Sequence, residues 1–457
     1  MAFIRSISGL RATLGDDLTP TIVAEYVAGF SASLPIGDII VGSDGRPSYQ
    51  WIQSVVAGTL AACGRKVVMT GVVPTPTVQM ITEHDPNAVG GIIITASHNP
   101  SEWNGLKFID SDGVFLDAEG NAKLWSHTDN KDFKYISEQK LAEIIEMPDA
   151  GNQHIEAIIS SPIFSESDTI AKLKDRKLKI VVDAVNASGS IVVPTLLRKL
   201  GCEVVELFCD ASGVFPHTPE PLPIYLTELA ASVKEHKADL GIVVDPDADR
   251  LVLIDENGDP IGEELTITLA AESALSSKDV LGKYDAVVTV NYSTTRTVED
   301  VAAKYGAVVK RSAVGEINVV RKMKEVNALV GGEGSGGVIL PACHYGRDSL
   351  VGCALILHLL AQRGSSLSKI CADLPKYAML KLKQPFSGKL DKLIDQVIEA
   401  FPNGKATRDD GIKIDFEKSW VQLRASNTEP IVRIIAEAPS KKEAEELAEV
   451  VINIVKA

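Results

Sequence analysis

Short apolar runs alternate with amphipathic stretches along most of the chain, and the first cycle of this pattern is clear. A strand-like run at 38–41 is followed by a helical pattern over 51–62, a second apolar run at 66–69, a second helical pattern over 77–83 and a third run at 91–94. β-Branched runs that alternate with helical patterns are typical of βαβ units and of parallel or mixed sheets. The pattern therefore predicts an α/β domain at the start of the chain.

The same order of strand, helix, strand, helix and strand occurs twice more. The later copies have these predicted elements: strands 178–182, 203–206 and 240–244 with helices 191–200 and 226–236, then strands 285–290, 307–309 and 328–330 with helices 297–305 and 317–326. Repetition of one supersecondary unit at this scale predicts three related domains.

The tail of the chain follows a different pattern. From about residue 378 the predicted order is a strand, a helix over 390–400, a hairpin at 411–416 and 420–423, a strand at 431–436 and a final helix over 441–455. We therefore predict an α/β fold with three related α/β domains built on mixed sheets, followed by a C-terminal α+β domain of different fold.

Polar, turn-rich segments indicate where these domains meet. They lie at 147–152, near the Asn-Gly signal of 256–259, and at 373–375. The predicted domains are 1–150, 151–256, 257–374 and 375–457.

Composition narrows the class of function. The 457 residues carry a formal net charge of −15, which argues against a nucleic-acid partner because such binding needs clustered cations. A small anionic substrate is still compatible with this charge, since a few arginines in a cleft outweigh the global charge locally.

Cysteine usage and hydropathy indicate the compartment. The six cysteines are scattered without any C-x-x-C pair, as in a reduced intracellular protein. The N-terminal residues show no long apolar segment, and the longest apolar helical run, 350–361, is too short to span a bilayer and reads as a core helix. We expect a cytoplasmic protein without a membrane partner, and the oligomeric state stays open.

Chemistry-bearing residues follow the last strand of each repeated unit. In open α/β sheets, ligands gather beyond the carboxyl ends of the strands. We call the three segments the serine loop (Thr95–Pro100), the aspartate loop (Asp245–Arg250) and the glycine loop (Gly331–Gly337). Their equivalent positions predict one shared site.

The aspartate loop carries carboxylates at Asp245, Asp247 and Asp249. Three carboxylates at alternate positions attract a hard cation such as Mg²⁺ or Ca²⁺. An EF-hand is the rival reading, because Glu256 stands at the twelfth position, but Arg250 occupies the place of the required glycine and the flanks are strand-like. The loop therefore predicts a metal site, with Mg²⁺ favoured.

The serine loop contains Ser97 next to His98. A hydrolase in which His98 activates Ser97 is one interpretation, but neighbouring side chains of an extended loop point in different directions and no G-x-S-x-G elbow is present. A serine that carries phosphate beside a carboxylate-bound Mg²⁺ is chemically more economical, since phosphoryl transfer then needs mostly positioning.

Lys107 follows an Asn-Gly pair that indicates a turn, and it is a candidate general acid or base if its pKa is lowered. In the glycine loop, Glu333 and Ser335 stand between glycines, which let backbone approach a ligand closely. A carboxylate and a hydroxyl together suit paired sugar hydroxyls.

A fourth segment lies in the C-terminal domain, and we call it the arginine loop (Arg424–Arg433). It reads Arg-Ala-Ser-Asn-Thr-Glu-Pro before a second arginine at 433. Small polar side chains, backbone amides and two arginines can hold a phosphate.

Taken together, the chain strongly resembles the α-D-phosphohexomutase family over essentially its whole length. T-A-S-H-N-P, D-P-D-A-D-R, G-G-E-G-S-G-G and R-A-S-N-T-E-P are similar to the four signature loops of that family, in family order. The resemblance implies three α/β domains and a different fourth domain around one cleft, a phosphoserine at Ser97, and an N-terminal arginine near the active centre at Arg11.

The resemblance also assigns the other site residues. The catalytic candidates are Ser97, Lys107, Arg11, His98 and Arg250. The metal candidates are Ser97, through its phosphate, and Asp245, Asp247 and Asp249. The substrate candidates, which read sugar hydroxyls or hold the non-reacting phosphate, are Glu333, Ser335, Arg424, Ser426, Asn427, Thr428 and Arg433.

Three positions depart from the family pattern. Many bacterial members have a histidine where this chain has Gly337, so that acid or base partner is missing unless His344 or another group substitutes for it. The N-terminal motif has Ala12 in place of a glycine, and the downstream Asp-Gly pair is Asp348-Ser349. The form of the glycine loop is similar to that of archaeal-type members.

The expected activity is that of a phosphohexomutase. It would interconvert hexose 1-phosphate and hexose 6-phosphate through phosphoserine and a bisphosphate intermediate, with Mg²⁺ as cofactor and hexose 1,6-bisphosphate as activator. Glucose and mannose phosphates are favoured slightly over glucosamine phosphate. The alternatives are a dedicated phosphoglucosamine mutase, or a phosphosugar phosphatase or binding protein without mutase activity.

Overall fold

The computed structural model describes residues 3–137, 142–386, 388, 390–426 and 431–456. Within these residues, the elements of the first domain are β1 Phe3–Ser6, β2 Gly9–Thr13, α1 Pro20–Ser33, β3 Asp38–Ser43, α2 Tyr49–Ala62, β4 Val67–Val72, α3 Thr75–His84, β5 Ala88–Ile94, β6 Trp103–Asp110, α4 Ala118–Asp129 and β7 Ile144–Glu146. The strands form one mixed sheet in the order β1-β2-β6-β5-β3-β4-β7.

The next two domains are each built on a four-stranded sheet. The elements of the second are α5 Ala150–Ile159, α6 Pro162–Ser165, α7 Thr169–Arg176, β8 Lys179–Asp183, α8 Gly189–Lys199, β9 Glu203–Leu207, α9 Thr227–His236, β10 Leu240–Val244 and β11 Leu251–Ile254. Those of the third are α10 Glu263–Ser276, β12 Asp285–Asn291, α11 Thr297–Lys304, β13 Val308–Ser312, α12 Glu316–Glu325, β14 Ala328–Glu333, β15 Gly337–Ile339, α13 Ser349–Arg363 and α14 Leu367–Ala372.

The last domain has a five-stranded antiparallel sheet in the order β16-β20-β19-β18-β17, packed against two helices. Its elements are β16 Ala378–Pro385, α15 Leu390–Ala400, β17 Lys405–Thr407, β18 Ile412–Asp415, β19 Trp420–Ala425, β20 Ile431–Ala438 and α16 Lys441–Lys456. The predicted fold class, three α/β domains and a different C-terminal domain, is therefore confirmed.

One topological unit recurs in the first three sheets. Its first strand lies between the second and third strands, all three are parallel, and a fourth strand runs antiparallel beside the third. In sheet order the units are β4-β3-β5-β6, β9-β8-β10-β11 and β13-β12-β14-β15. The serine, aspartate and glycine loops each join the third strand to the fourth, so they occupy the same place in each unit.

The second and third domains share one hydrophobic core. It runs from the strands of both sheets through α13, which is buried from Ser349 to Ala361. The expectation that 350–361 forms a core helix is confirmed, and none of the helices in the described ranges is long and apolar enough to cross a membrane. All six cysteines are free thiols.

Two local expectations are wrong. Asn104 and Gly105 form no turn, because both lie inside β6, where Gly105 is paired with Arg11 of β2. A Cβ at Gly105 would lie 2.1 Å from the carbonyl oxygen of Leu10, so this glycine allows two strands to approach rather than a chain reversal. The glycine loop is also shorter than expected, since its residues up to Glu333 belong to β14.

Candidate active site

Loops of the first two domains meet at a buried site. Ser97 Oγ lies 3.2 Å from Oδ2 of Asp245, and Lys107 Nζ lies 2.5 Å from Oδ2 of Asp247. These four side chains are at most 2% exposed. The structure thus brings together the proposed phosphoryl carrier, the acid or base candidate and the metal candidates.

The backbone of the serine loop turns sharply directly after β5. Ser97 has φ +53°, in the left-handed region that non-glycine residues rarely occupy. Its N–H donates to Thr95 Oγ1 over 2.8 Å, and Thr95 Oγ1 donates to Asp44 Oδ2 over 2.6 Å. The loop is therefore held in a strained conformation, as is common at functional sites.

Arg46 anchors the same loop, and no motif in the sequence indicates this role. Its guanidinium donates to the carbonyl oxygens of Ser97 at 2.7 Å and Trp103 at 2.6 Å, and its Nε donates to Asp44 Oδ2 at 2.8 Å. Both charged side chains of this pair are fully buried. Arg46 lies three residues after the end of β3, in a short polar segment that is typical of an ordinary loop. Its role is therefore visible only in the three-dimensional structure.

His98 lies closer to Ser97 than an extended loop would place it. Its Nδ1 is 3.4 Å from Ser97 Oγ, which is at the long end for a hydrogen bond. The left-handed conformation of Ser97 brings the ring back, so the expectation of diverging side chains is wrong. Burial, followed by the charges of Arg250 and Arg11, holds the pKa of His98 well below its usual range.

The aspartate loop is fixed by backbone hydrogen bonds. Asp245 Oδ1 accepts the N–H groups of Asp249 and Arg250, both at 3.2 Å. Thr75, the first residue of α3, donates its N–H to the Asp247 carbonyl at 2.9 Å and its Oγ1 to Asp247 Oδ2 at 2.7 Å. The loop is therefore ordered by contacts with the first domain as well as by its own turn.

The carboxylates of this loop fit a hard cation. Oδ1 of Asp247 and Oδ1 of Asp249 are buried and accept no hydrogen bond from the described part of the chain. Burial and the like charges of Asp249 and Asp247 raise the pKa of Asp245 well above its usual range. Buried carboxylate oxygens that lack donors and repel one another are what a divalent cation would stabilise, so Asp245, Asp247 and Asp249 form a candidate metal site.

Lys107 is buried against the same carboxylates. Besides its contact with Asp247, its Nζ lies 3.3 Å from Asp249 Oδ2. Burial acts to lower the pKa of Lys107, but the charges of Asp247 and Asp249 outweigh it, so the pKa is raised. General base catalysis would need a lowered pKa at Lys107. The structure does not show one while Asp247 and Asp249 are both charged beside the ammonium.

Two further arginines from the sequence analysis border the site. Arg11 on β2 donates from Nη1 to Asn99 Oδ1 in the serine loop at 2.9 Å. Arg250 Nε lies 3.9 Å from Asp245 Oδ2 and 3.7 Å from Asp249 Oδ1. Arg11 thus contacts the serine loop, and Arg250 lies near two carboxylates of the aspartate loop.

Glu333 ends β14 and is held on both carboxylate oxygens. Its Oε1 accepts from Asn291 Nδ2 at 2.7 Å and from the Gly315 N–H at 3.0 Å, and its Oε2 accepts from Arg347 Nη1 at 2.7 Å. Burial would raise the pKa of Glu333, but Arg347 and the hydrogen bonds hold it below its usual range. Ser335 is half-buried in the turn that follows.

Arg347 is a functional residue that the sequence analysis missed. It donates to Glu333, to Asp249 Oδ2 at 2.6 Å and to Glu316 Oε2 at 3.0 Å. A Cβ at Gly337 would lie 2.4 Å from Arg347 Cδ. The space opened by Gly337 is therefore filled by the side chain of Arg347.

His344 does not replace a histidine at position 337. Its Nδ1 accepts the Gly346 N–H at 3.0 Å, so its Nε2 carries the proton and donates to Asp348 Oδ2 at 3.0 Å. His154 contacts the same oxygen at 2.8 Å. Oδ1 of Asp348 caps α13 by accepting the N–H groups of its first turn, so Asp348 connects both histidines to the start of the core helix.

The arginine loop joins β19 to β20. Arg424 and Arg433 are directly opposite each other in the two strands, and the Ser426 N–H donates to the Ile431 carbonyl at 3.0 Å. Like charges in directly opposite positions are unfavourable in a sheet. Asn427 and Thr428 lie outside the described residues.

Comparison with known proteins extends over the four domains. The chain matches the four domain profiles of phosphoglucomutase/phosphomannomutase: the alpha/beta/alpha domains I, II and III at residues 4–135, 152–258 and 262–377, and the C-terminal domain at 386–454. These ranges together contain all four loops.

Similar proteins match nearly end to end. A phosphoglucomutase/phosphomannomutase of Thermococcus kodakarensis is 35% identical over 98% of this chain and 97% of the relative. A protein of Methanopyrus kandleri named "Probable phosphoglucosamine mutase" is 32% identical over 98% and 97%. The crystal structure of a phosphoglucomutase/phosphomannomutase family protein from Burkholderia thailandensis superimposes with a TM-score of 0.85 at 26% identity, covering 99% of this chain and 98% of that one.

Proposed function

The chain belongs to the phosphoglucomutase/phosphomannomutase family, the α-D-phosphohexomutases, and we propose that Ser97 carries the transferred phosphoryl group. As a phosphohexomutase it is an isomerase that interconverts hexose 1-phosphates and hexose 6-phosphates. The observation that carries the assignment of Ser97 is its buried Oγ, which lies 3.2 Å from Asp245 in the candidate metal site.

The proposed reaction has two balanced transfers. A free hydroxyl of the hexose monophosphate attacks the phosphorus of phospho-Ser97, the P–O bond to Ser97 breaks, and a hexose bisphosphate forms. Lys107 accepts the proton of that hydroxyl and returns a proton to Ser97 Oγ, and His98 Nδ1 lies 3.4 Å from that oxygen. After the bisphosphate reorients end for end, Ser97 attacks its other phosphate by the reverse sequence.

The cation site is proposed to consist of the Ser97 phosphate with Asp245, Asp247 and Asp249. A bound Mg²⁺ would neutralise phosphoryl oxygens and the carboxylates beside Lys107, which would then hold its proton less strongly. Arg11 and Arg250 place additional positive charge at the border of the same site. Their fixed positions favour the phosphoryl charge without reorganisation during transfer.

Recognition of the rest of the substrate is assigned to the other two loops. Glu333 and Ser335 are proposed to bind sugar hydroxyls, and the contacts of Arg347 with Glu333 and with Asp249 of the aspartate loop support this proposal. The non-reacting phosphate is proposed to bind the arginine loop, through Arg424, Ser426, Asn427, Thr428 and Arg433. The opposed arginines of that loop are what supports an anion site there.

Glucose and mannose phosphates are the substrates we propose, with glucosamine phosphate close behind and a hexose 1,6-bisphosphate as activator. Glu333 would contact hydroxyls that these sugars share, so it does not separate them. The relatives divide in the same way, one named for glucose and mannose and one for glucosamine. Side-by-side kcat/KM values on the three 1-phosphates decide: a glucosamine preference above about tenfold, roughly 1.4 kcal/mol, would reverse this order.

A product assay tests the function itself. Glucose 1-phosphate, Mg²⁺ and a trace of glucose 1,6-bisphosphate should give glucose 6-phosphate with the wild-type chain and none with Ser97→Ala. Release of inorganic phosphate without the 6-phosphate isomer would identify a phosphatase, and binding without either product would identify a phosphosugar-binding protein. We further propose a cytoplasmic location, because unpaired cysteines suit a reducing compartment.

A further inference from the structure

Three carboxylates from three segments converge on one arginine. Arg347 donates from Nη2 to Asp249, from Nη1 to Glu333 and from Nε to Glu316. The arginine is 9% exposed, and the three carboxylates are no more than 7% exposed. The guanidinium therefore bridges the aspartate loop of the second domain and the glycine loop of the third.

The first domain is tied to the same network. Glu316 is the first residue of α12, and its Oε1 accepts from Gln79 Nε2 of α3 at 2.9 Å. The N-terminus of α3 is the element that holds Asp247 through Thr75. Arg347 contacts Asp249 directly and is connected through Glu316 and Gln79 to α3, which contacts Asp247. Two of the metal candidates are therefore held by one hydrogen-bond network.

Only a small residue at 337 leaves room for this arginine. A Cβ at Gly337 would stand 2.4 Å from Cδ and 3.0 Å from Cγ of Arg347. Because three carboxylates fix the guanidinium end, the stem has little freedom to move away. Gly337 and Arg347 thus form a matched pair. A larger side chain at position 337 would occupy the space that the stem of Arg347 now fills.

We propose that Arg347 is a positioning residue for the mutase reaction, which sets the Glu333 carboxylate at a fixed distance from Asp249. Its stem fills the space beside Gly337. The planar fork of arginine is needed, because a lysine ammonium has no rigid set of donors for three separate carboxylates. The proposal rests on the proposed role of Glu333 in binding the sugar.

Arg347→Lys keeps the charge and is the first test, with the exposed Arg198→Lys as the matched control. Calorimetry of glucose 6-phosphate binding to metal-free protein is expected to show affinity about tenfold weaker for Arg347→Lys, about 1.4 kcal/mol. Arg198→Lys should bind as the wild type does. Equal affinity in all three proteins would overturn the proposal.

A double-mutant cycle separates positioning from general structural support. If Arg347 acts through Glu333, Glu333→Gln should weaken glucose 6-phosphate binding strongly in the wild type and far less in the Arg347→Lys background. Additive losses would contradict the proposal. The binding measurements need no turnover. If the wild type shows no mutase activity, the proposed function fails, but the double-mutant cycle still tests whether Arg347 acts through Glu333.

The steric pairing gives an independent check. Gly337→His combined with Arg347→Ala is expected to lose less kcat/KM than the sum of the two single losses, since the second change removes the side chain that the new ring would meet. Unfolding in urea shows whether each variant is folded before kinetics are compared. Losses that simply add would mean that the two positions do not share this space.

Discussion

Lys107 Nζ lies 2.5 Å from Oδ2 of Asp247, so an ammonium of the first domain is buried against a metal candidate of the second. The two opposite charges interact strongly there, because the side chains of Lys107 and Asp247 are at most 2% exposed. In consequence, Asp247, which is a metal candidate, is also one of the groups that raise the pKa of Lys107, the proposed acid and base.

Replacing this lysine should separate proton transfer from metal binding. Lys107→Gln is expected to lower kcat by about 100-fold to 10,000-fold, the usual contribution of a positioned acid or base. Mg²⁺ should bind at least as tightly, because Asp247 loses a competing cation. Steady-state kinetics and Mg²⁺ calorimetry test this, with Lys66→Gln at an exposed ion pair as control. Parallel loss of kcat and Mg²⁺ affinity would contradict the assignment.

Asp247→Asn should weaken Mg²⁺ binding and slow turnover steeply, with the fold retained. The amide keeps an acceptor for Thr75 Oγ1 but removes one of the charges that attract the cation. Calorimetry gives the Mg²⁺ affinity, and the exposed Asp279→Asn is the control. Activity that survives exhaustive chelation of the wild type would reject the metal site.

Arg46 is expected to stabilise the protein and to shape the serine loop. Arg46→Met leaves Asp44 as a buried, unpaired carboxylate, which should lower the free energy of unfolding by about 3–5 kcal/mol. Arg46→Lys retains the charge but loses donors to the Ser97 and Trp103 carbonyls, so its stability loss should be smaller while turnover falls. Urea unfolding and kinetics check both, and wild-type kcat for Arg46→Lys would disprove the effect on the loop.

His358 in the core helix α13 should make stability depend on pH. Burial, with the charge of Lys172, lowers the pKa of His358 from 6.5 to about 4. The unfolded chain therefore binds a proton below pH 6.5 that the folded chain does not, so stability is present above pH 6.5 and lost as pH falls towards 4.

The size of this loss follows from the shift. Between pH 7.5 and pH 5 the wild type should lose about 2 kcal/mol of unfolding free energy more than His358→Gln does. Urea unfolding of both proteins at the two pH values measures the difference. His84→Gln, at an exposed position, serves as control and should follow the wild type. Identical pH slopes for wild type and His358→Gln would contradict this account.

The repeated strands and the four loops were accessible from the sequence because they depend on local signals. β-Branched runs, helical periodicity and turn residues act within a few positions of the chain, and the loops follow them directly. Ser97, Lys107 and the three aspartates were therefore all named before their proximity was visible. The local structure before Lys107 is predicted wrongly, because the Asn-Gly pair is typical of a turn. In the structure Gly105 instead allows β2 and β6 to approach closely.

Arg347 and Arg46 could not be found in this way. Arg347 contacts Glu333 and Asp249, 14 and 98 positions away along the chain, so no local pattern marks its role. Arg46 donates to the backbone carbonyl oxygens of Ser97 and Trp103. Because every residue has a backbone carbonyl, the sequence does not indicate such a partner. Residues that connect domains thus depend on tertiary structure, whereas residues that carry the chemistry stand in recognisable loops.

Phosphoryl transfer to Ser97 is the central claim, and one measurement tests it directly. The dephosphorylated wild-type chain, incubated with glucose 1,6-bisphosphate and Mg²⁺, should gain the mass of one phosphoryl group, and peptide mapping by mass spectrometry should locate it on Ser97. Ser97→Ala should gain none under the same conditions. A phosphoryl group on another residue, or an unmodified wild-type chain that still converts glucose 1-phosphate into glucose 6-phosphate, would contradict the account.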